Sequence, residues 1–260
     1  MSRHCHHGPL SGYPHTHTII LLHGRGSSGA EFATEFFESE ASASPGTPQA
    51  RKDLLHLFPT VRWVFPSAPE RISERFSELM PQWFDMWATE RPQERPELQT
   101  EALRQSVGFI LDVIREEEKE VARKNIILGG ISQGFATAVG TFFTDGRGFG
   151  GLLGVCTWMP PQYEGDEAIP QGPRPGDGDS VSMMATPVFL AHAADDSVVP
   201  IEHGEHLRDF LRQRGLAMEW HQYGDGGHWF NEPQGVDDIA AFLDKLMVNT
   251  VPAADHTTHS

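Results

Sequence analysis

The chain has 260 residues, 38% of them hydrophobic, which suits one large α/β domain with a buried core. Its 20 basic and 36 acidic residues give a net charge of −16, which argues against nucleic acid or an anionic membrane as a standing partner. Two cysteines, Cys5 and Cys156, make no disulfide framework, no apolar run approaches a membrane span, and no signal-like apolar segment precedes residue 19, so the expected compartment is cytoplasmic.

Residues 1–17 read as a flexible tail. They carry His4, Cys5, His6, His7, His15 and His17, but the spacing matches no zinc pattern and no functional metal is expected. The single folded domain is expected over 18–248, followed by a second flexible tail over 249–260.

The run Thr18-Ile19-Ile20-Leu21-Leu22 is short, rich in β-branched residues and apolar after Thr18, as a buried strand requires. It leads into His23-Gly24-Arg25-Gly26, then a helical stretch over 31–38. Residues 39–52 are rich in Ser, Ala, Pro and Gly and read as a surface insertion. Residues 61–65 read as a strand. Leu103, Val107, Ile110, Leu111 and Ile114 recur at helical spacing and predict an amphipathic helix over 97–122, with the acidic run Glu116-Glu117-Glu118 on its solvated face.

Ile126-Ile127-Leu128 then runs into Gly130-Ile131-Ser132-Gln133-Gly134. A strand entering a glycine-flanked turn with serine at its apex is the sequence form of a nucleophile elbow. The small residues Ala136-Thr137-Ala138-Val139-Gly140 follow and allow a helix to pack close under a sheet. Further strands are expected over 151–158, 187–192 and 217–223, with helices marked by Leu207, Phe210 and Leu211 and by Ile239, Phe242, Leu243, Leu246 and Met247. Residues 162–182 form a polar, Pro- and Gly-rich loop. Alternating strands and helices imply a doubly wound, mostly parallel sheet with helices on both faces.

A serine hydroxyl needs a base to remove its proton and an acid to orient that base. In this strand–helix order the acid follows a later strand and the base follows the last one. Asp195 and Asp196 both follow the 187–192 strand. His228 stands in the glycine-rich loop after the last strand, whereas His221 lies within that strand and His203 and His206 fall at or in a helix. An oxyanion hole needs two amides. Gln133 after the serine supplies one, and Arg25, between two glycines, supplies the other. A phosphate cradle is the competing reading of that early loop, but no Gly-x-Gly-x-x-Gly or Gly-Lys-Ser/Thr is present.

Taken together, the segments resemble the phospholipase/carboxylesterase family of α/β-hydrolases, which includes the acyl-protein thioesterases. The motifs carrying the resemblance are Leu22-His23-Gly24-Arg25-Gly26, Ala68-Pro69 with Trp83-Phe84-Asp85, Ile127 to Gly134, Trp158-Met159-Pro160, and His192 with Asp196 and Val199-Pro200. The resemblance implies an α/β-hydrolase fold and a cofactor-free triad of Ser132, Asp196 and His228, with Asp196 rather than Asp195 as the acid. It also implies that Trp83 and Trp158 lie near an acyl pocket, with core packing as the competing reading of both. Substrates implied are acyl esters or thioesters, including S-acylated proteins. A small-ester or lysophospholipid esterase and an inactive hydrolase-fold binding module are the alternatives. Phe135 where the family carries glycine, Trp229-Phe230 after the histidine, and Arg25 in place of an apolar residue depart from the pattern and bear on what enters the pocket. The 39–52 and 162–182 stretches read as additions to the family core.

Overall fold

The computed structural model describes residues 4–42, 52–165 and 182–248. The remainder of the 39–52 insertion, most of the 162–182 loop and the 249–260 tail lie outside the described residues.

The chain begins with strand β1 (His4–His7), followed by β2 (His17–Leu22), helix α1 (Gly29–Glu38), a single turn α2 (Leu54–Leu57) and β3 (Val61–Pro66). A hairpin of β4 (Glu70–Ser73) and β5 (Glu78–Pro81) precedes the long α3 (Glu97–Glu117). Then come β6 (Ile126–Ile131), α4 (Gln133–Asp145), β7 (Gly151–Val155), β8 (Val188–Ala193), α5 (Ile201–Gln213), β9 (Met218–Tyr223) and α6 (Gln234–Val248).

Seven strands form one sheet in the order β1-β3-β2-β6-β7-β8-β9, and β4 and β5 pair separately. All neighbours in the large sheet are parallel except β1, which runs antiparallel to β3. The central strands read as unbroken apolar runs because both sheet faces are covered. Alternation along each strand divides the core in two. Ile20, Leu22, Ile126, Leu128, Leu152 and Leu190 pack with α3, α4 and α5. Ile19, Leu21, Trp63, Phe65, Ile127 and Phe189 pack with α1 and α6 on the other face. The sheet is therefore doubly wound and mostly parallel, with the elbow strand β6 at its centre.

Three expectations change. Residues 4–7 are an edge strand and not part of a flexible tail: Cys5 faces Phe65 in the ladder, and the His7 ring meets Phe37 and Phe65 at 5.3 and 5.9 Å between centroids. The strand expected over 151–158 is cut short at Val155, because Cys156 takes φ +51° and turns the chain out of the sheet. Glu117 does not stay on the solvated face. It turns inward, accepts a hydrogen bond from Thr18 Oγ1 at 3.1 Å and pairs with Arg62 at 3.5 Å. The described ends of the 39–52 stretch are packed onto the domain: Ser39 and Ala41 are buried, and the Ala41 amide bonds the Lys52 carbonyl at 3.1 Å.

Candidate functional site

Ser132 stands between β6 and α4 with φ +55° and ψ −127°, a conformation costing about 1–3 kcal/mol for a residue with a side chain. The surroundings hold it there. Its amide bonds the Val155 carbonyl at 2.9 Å, and its carbonyl accepts from Thr157 Oγ1 at 2.9 Å. The turn also needs glycine two residues on, since a Cβ on Gly134 would stand 2.1 Å from the Leu22 carbonyl oxygen. This close approach brings α4 down against the end of β2 and sets its first amides, including that of Gln133, beside the serine. Such N-terminal amides have no partner within their helix and carry its positive pole.

Asp196 follows β8. Its Oδ1 accepts the Val198 and Val199 amides, each at 2.9 Å. Its Oδ2 accepts from His228 Nδ1 at 2.8 Å and lies 3.2 Å from His192 Nε2. Burial pushes the Asp196 carboxyl up, but the His192 and His228 side chains and the Val199 amide outweigh it and hold it well below the usual carboxylate range. Asp195 has a different task. Its Oδ1 accepts the Gly227 amide at 2.8 Å, which pins the loop carrying His228. That loop turns through Gly226 and Gly227, with φ +122° and +61°. Trp229 Nε1 ties it to Ser39 Oγ at 3.2 Å. His221 instead stacks on Phe189 and pairs with Asp238, away from this cluster.

The early loop is built just as firmly. Buried His23 donates from Nδ1 to the Gly24 carbonyl at 2.7 Å, and its Nε2 accepts the Ala68 amide at 3.0 Å. Burial lowers its pKa to about 4, so the ring is neutral at pH 7. The Gly26 amide bonds the Pro81 carbonyl at 2.8 Å, which fastens the loop to the β4–β5 hairpin. The Arg25 guanidinium is turned onto that hairpin and the segment after it, donating to Gln82 Oε1 at 3.0 Å and Ser73 Oγ at 2.8 Å and pairing with Asp85 at 3.3 Å.

Ser132, His228, Gly24 and Arg25 line one cavity of about 360 Å³. Phe32, Ile131, Val198 and Trp229 supply apolar wall, and Arg75 and Phe76 reach it from the hairpin turn. Trp83 and Trp158, expected beside an acyl pocket, are not among its lining residues; both are wholly buried. Trp83 sits behind the site as a brace, donating from its amide to Gln133 Oε1 at 2.8 Å and from its indole to the His23 carbonyl at 2.9 Å. Trp158 packs on Phe84 in the core. Phe135 also points away from the cavity, its ring laid against Gly154 of β7. Of the departures from the family pattern, Arg25 and Trp229 border the cavity and Phe135 does not.

Several contributors had no functional signal in the sequence. In the sequence His192 is a motif landmark only, and neither the Gln133 side chain nor Cys156 belongs to a catalytic pattern. Cys156 is buried, and its thiol is pushed up well beyond the usual range by burial first and by Asp196 second. Among the described residues, Cys156, Asp196 and His228 form one group whose ligating atoms all lie within 4.8 Å of one another. No helix among the described residues is long and apolar enough to cross a membrane.

The family model described as phospholipase/carboxylesterase matches residues 10–247. Acyl-protein thioesterase 1 of Yarrowia lipolytica is 31% identical over 90% of this chain and 92% of its own length. That of Gibberella zeae is 28% identical over 90% and 92%. Among solved structures, Zea mays acyl-protein thioesterase 2 aligns with a TM-score of 0.70 at 21% identity, covering 95% of this chain and 100% of that one. The Bacillus cereus carboxylesterase aligns with a TM-score of 0.63 at 18% identity, covering 95% of each. At such identities the structural likeness is one of fold, and it agrees with the strand order and two-faced core described above. With the match running through nearly every element from β2 to α6, the chain belongs to the phospholipase/carboxylesterase family of α/β-hydrolases.

Proposed function

We propose that the chain hydrolyses carboxylic esters or thioesters through an acyl-enzyme, with an acyl-protein thioesterase-like substrate range. The observation that carries the reading is the 2.8 Å bond from His228 Nδ1 to Asp196 Oδ2 at the edge of the cavity that Ser132 also lines. With its Nδ1 proton held by the carboxylate, the ring keeps a lone pair on Nε2. Nε2 takes the Ser132 proton as Oγ attacks the acyl carbonyl, and Asp196 stabilises the imidazolium that results. The Gln133 and Arg25 amides receive the oxyanion, reinforced by the positive end of α4. His228 then returns the proton to the leaving alcohol or thiol. Water repeats the sequence to free the acid.

The apolar wall of Phe32, Ile131, Val198 and Trp229 suits an acyl chain, and relatives named as acyl-protein thioesterases support the thioester range. A shorter ester is the second reading, supported by the bordering of this cavity of about 360 Å³ by Phe76 and Trp229. A cytoplasmic setting belongs to the same reading, in keeping with two free cysteines.

The test is covalent labelling with a fluorophosphonate. Wild type should label and turn over an acyl thioester, and Ser132→Ala should do neither. Equal labelling of the two proteins rejects the assignment. A chain-length series of esters and thioesters separates the two substrate ranges, since a sharp optimum at short chains would exclude the thioesterase-like one.

A further inference from the structure

The mechanism leaves one group at the site unused, the Cys156 thiol. It is not a remote core sulfur. The left-handed turn that ends β7 directs it at the loop carrying His228, with Sγ 3.8 Å from the Gly227 carbonyl and 3.7 Å from the Trp229 carbonyl. Sγ, an Asp196 carboxylate oxygen and a His228 ring nitrogen lie within 4.8 Å of one another. A thiolate, an imidazole and a carboxylate are the ligand types that zinc takes, and bonds of about 2.0–2.3 Å in a tetrahedral arrangement place such atoms roughly 3.3–3.6 Å apart. No pair among the three groups exceeds that spacing by more than about 1.5 Å, and the His228–Asp196 pair at 2.8 Å is already inside it. The glycines at 226 and 227 give the histidine loop the backbone freedom to close the difference. Hard cations such as magnesium and calcium do not favour a thiolate and an imidazole.

We propose that Cys156, Asp196 and His228 form an inhibitory Zn²⁺ site that switches the hydrolase off. The inhibitory consequence rests on the reading of His228 as the base, whereas the binding itself does not. On binding, the Cys156 S–H bond breaks, an S–Zn bond forms and one proton leaves to solvent. Asp196 already carries its charge. The His228 nitrogen facing Asp196 gives its lone pair to the metal, and the ring proton moves to Nε2. A neutral imidazole has one lone pair, so Nε2 then holds a proton and cannot accept that of Ser132. No oxidant or reductant takes part. The fourth position on the metal is left to water or to a backbone carbonyl.

The experiment titrates metal-free protein with ZnCl₂ while following thioester hydrolysis, each variant normalised to its own uninhibited rate. Wild type should be inhibited saturably and recover with EDTA, and Cys156→Ser should need at least tenfold more Zn²⁺ for half-inhibition. Cys156→Ala serves equally if the serine variant unfolds, as judged by its melting temperature. All proteins carry His4→Ala and His6→Ala, so that the histidines of β1 do not compete for metal. Calorimetry of Zn²⁺ binding to Ser132→Ala, and the thiolate-to-metal absorption of Co²⁺ in its place, read the site without turnover. Both signals should vanish when Cys156→Ser is added. Matching inhibition curves for wild type and Cys156→Ser, or Co²⁺ spectra that do not depend on Cys156, would overturn the proposal. Binding that depends on Cys156 but leaves hydrolysis intact would instead reject His228 as the base.

Discussion

The Gln133 side chain holds the backbone of Trp83 by its amide at 2.8 Å and reaches past it to the Phe84 carbonyl, also at 2.8 Å. The residue that places one amide beside Ser132 thereby clamps the segment behind the early loop. Both partners are buried backbone groups, and losing Gln133 leaves them unsatisfied. Gln133→Ala should lower stability by about 2–4 kcal/mol. It keeps its own amide, so kcat should fall through displacement of the loop while fluorophosphonate labelling persists. Urea unfolding and labelling rates check this, and an unchanged unfolding midpoint would contradict it.

Asp196→Asn should leave the fold intact and reduce kcat by about 10³–10⁴, because the amide cannot stabilise the imidazolium and favours the wrong ring tautomer. KM should change far less. The carboxyl is held well below its ordinary range, so it stays ionised through mild acid, and the acid limb of the rate profile must come from another group. An Asp195→Asn control should lose much less, since Asp195 holds the Gly227 amide while the His228 ring is bonded to Asp196.

The ring of Phe135 lies where a Cβ on Gly154 would stand, 2.4 Å from Cε1. Gly154→Ala should cost about 1–3 kcal/mol by overpacking. Phe135→Leu should recover part of that loss in the double variant, a coupling of at least about 0.5 kcal/mol in urea unfolding. Phe135→Leu alone should leave the acyl chain-length preference unchanged, because the side chain faces the core.

Histidine 23 should make stability fall in mild acid. Its folded pKa is lowered to about 4 from the ordinary value of 6.5, so between these values the unfolded chain binds the proton and the folded chain does not. Its contribution is steady above pH 6.5 and declines as pH falls, with no further change below about 4. At pH 5 the loss should be about 2 kcal/mol. Urea midpoints at pH 7 and 5 for wild type and His23→Gln test it, and parallel shifts in both proteins would exclude His23 as the source.

The central strands and the strand–turn–helix around Ser132 are legible because each depends on local pattern, and the same pattern proposes the loops of Asp196 and His228 as those of acid and base. Ile126 to Gly134 writes an apolar strand, three glycines and a serine, which is enough to place the turn, while Val155, Thr157 and Leu22 from elsewhere in the chain hold its geometry. The choice of Asp196 over Asp195 needed the family resemblance, since the neighbours differ only in which way the loop turns them. Strand β1 was hidden because His-Cys-His-His carries no strand composition; its order comes from the free edge of β3 and the rings of Phe37 and Phe65. The β4–β5 hairpin is short and partly exposed, and no alternating pattern announces it. For Trp83 and Trp158, sequence cannot say whether an aromatic faces a cavity or stands behind its wall. That depends on where Gln133 and His23 are fixed in space.

The pairing of β1 with β3 also covers an edge of the sheet. A chain shortened to start at His17 would bare the hydrogen-bonding edge of β3, whose ladder positions Trp63, Val64 and Phe65 now face His7, His6 and Cys5. An open, aromatic-rich edge is a template for a second copy. Four unpromising residues near the N-terminus thus occupy the edge that such pairing would use, and a shortened chain should associate more readily in sedimentation than the full one.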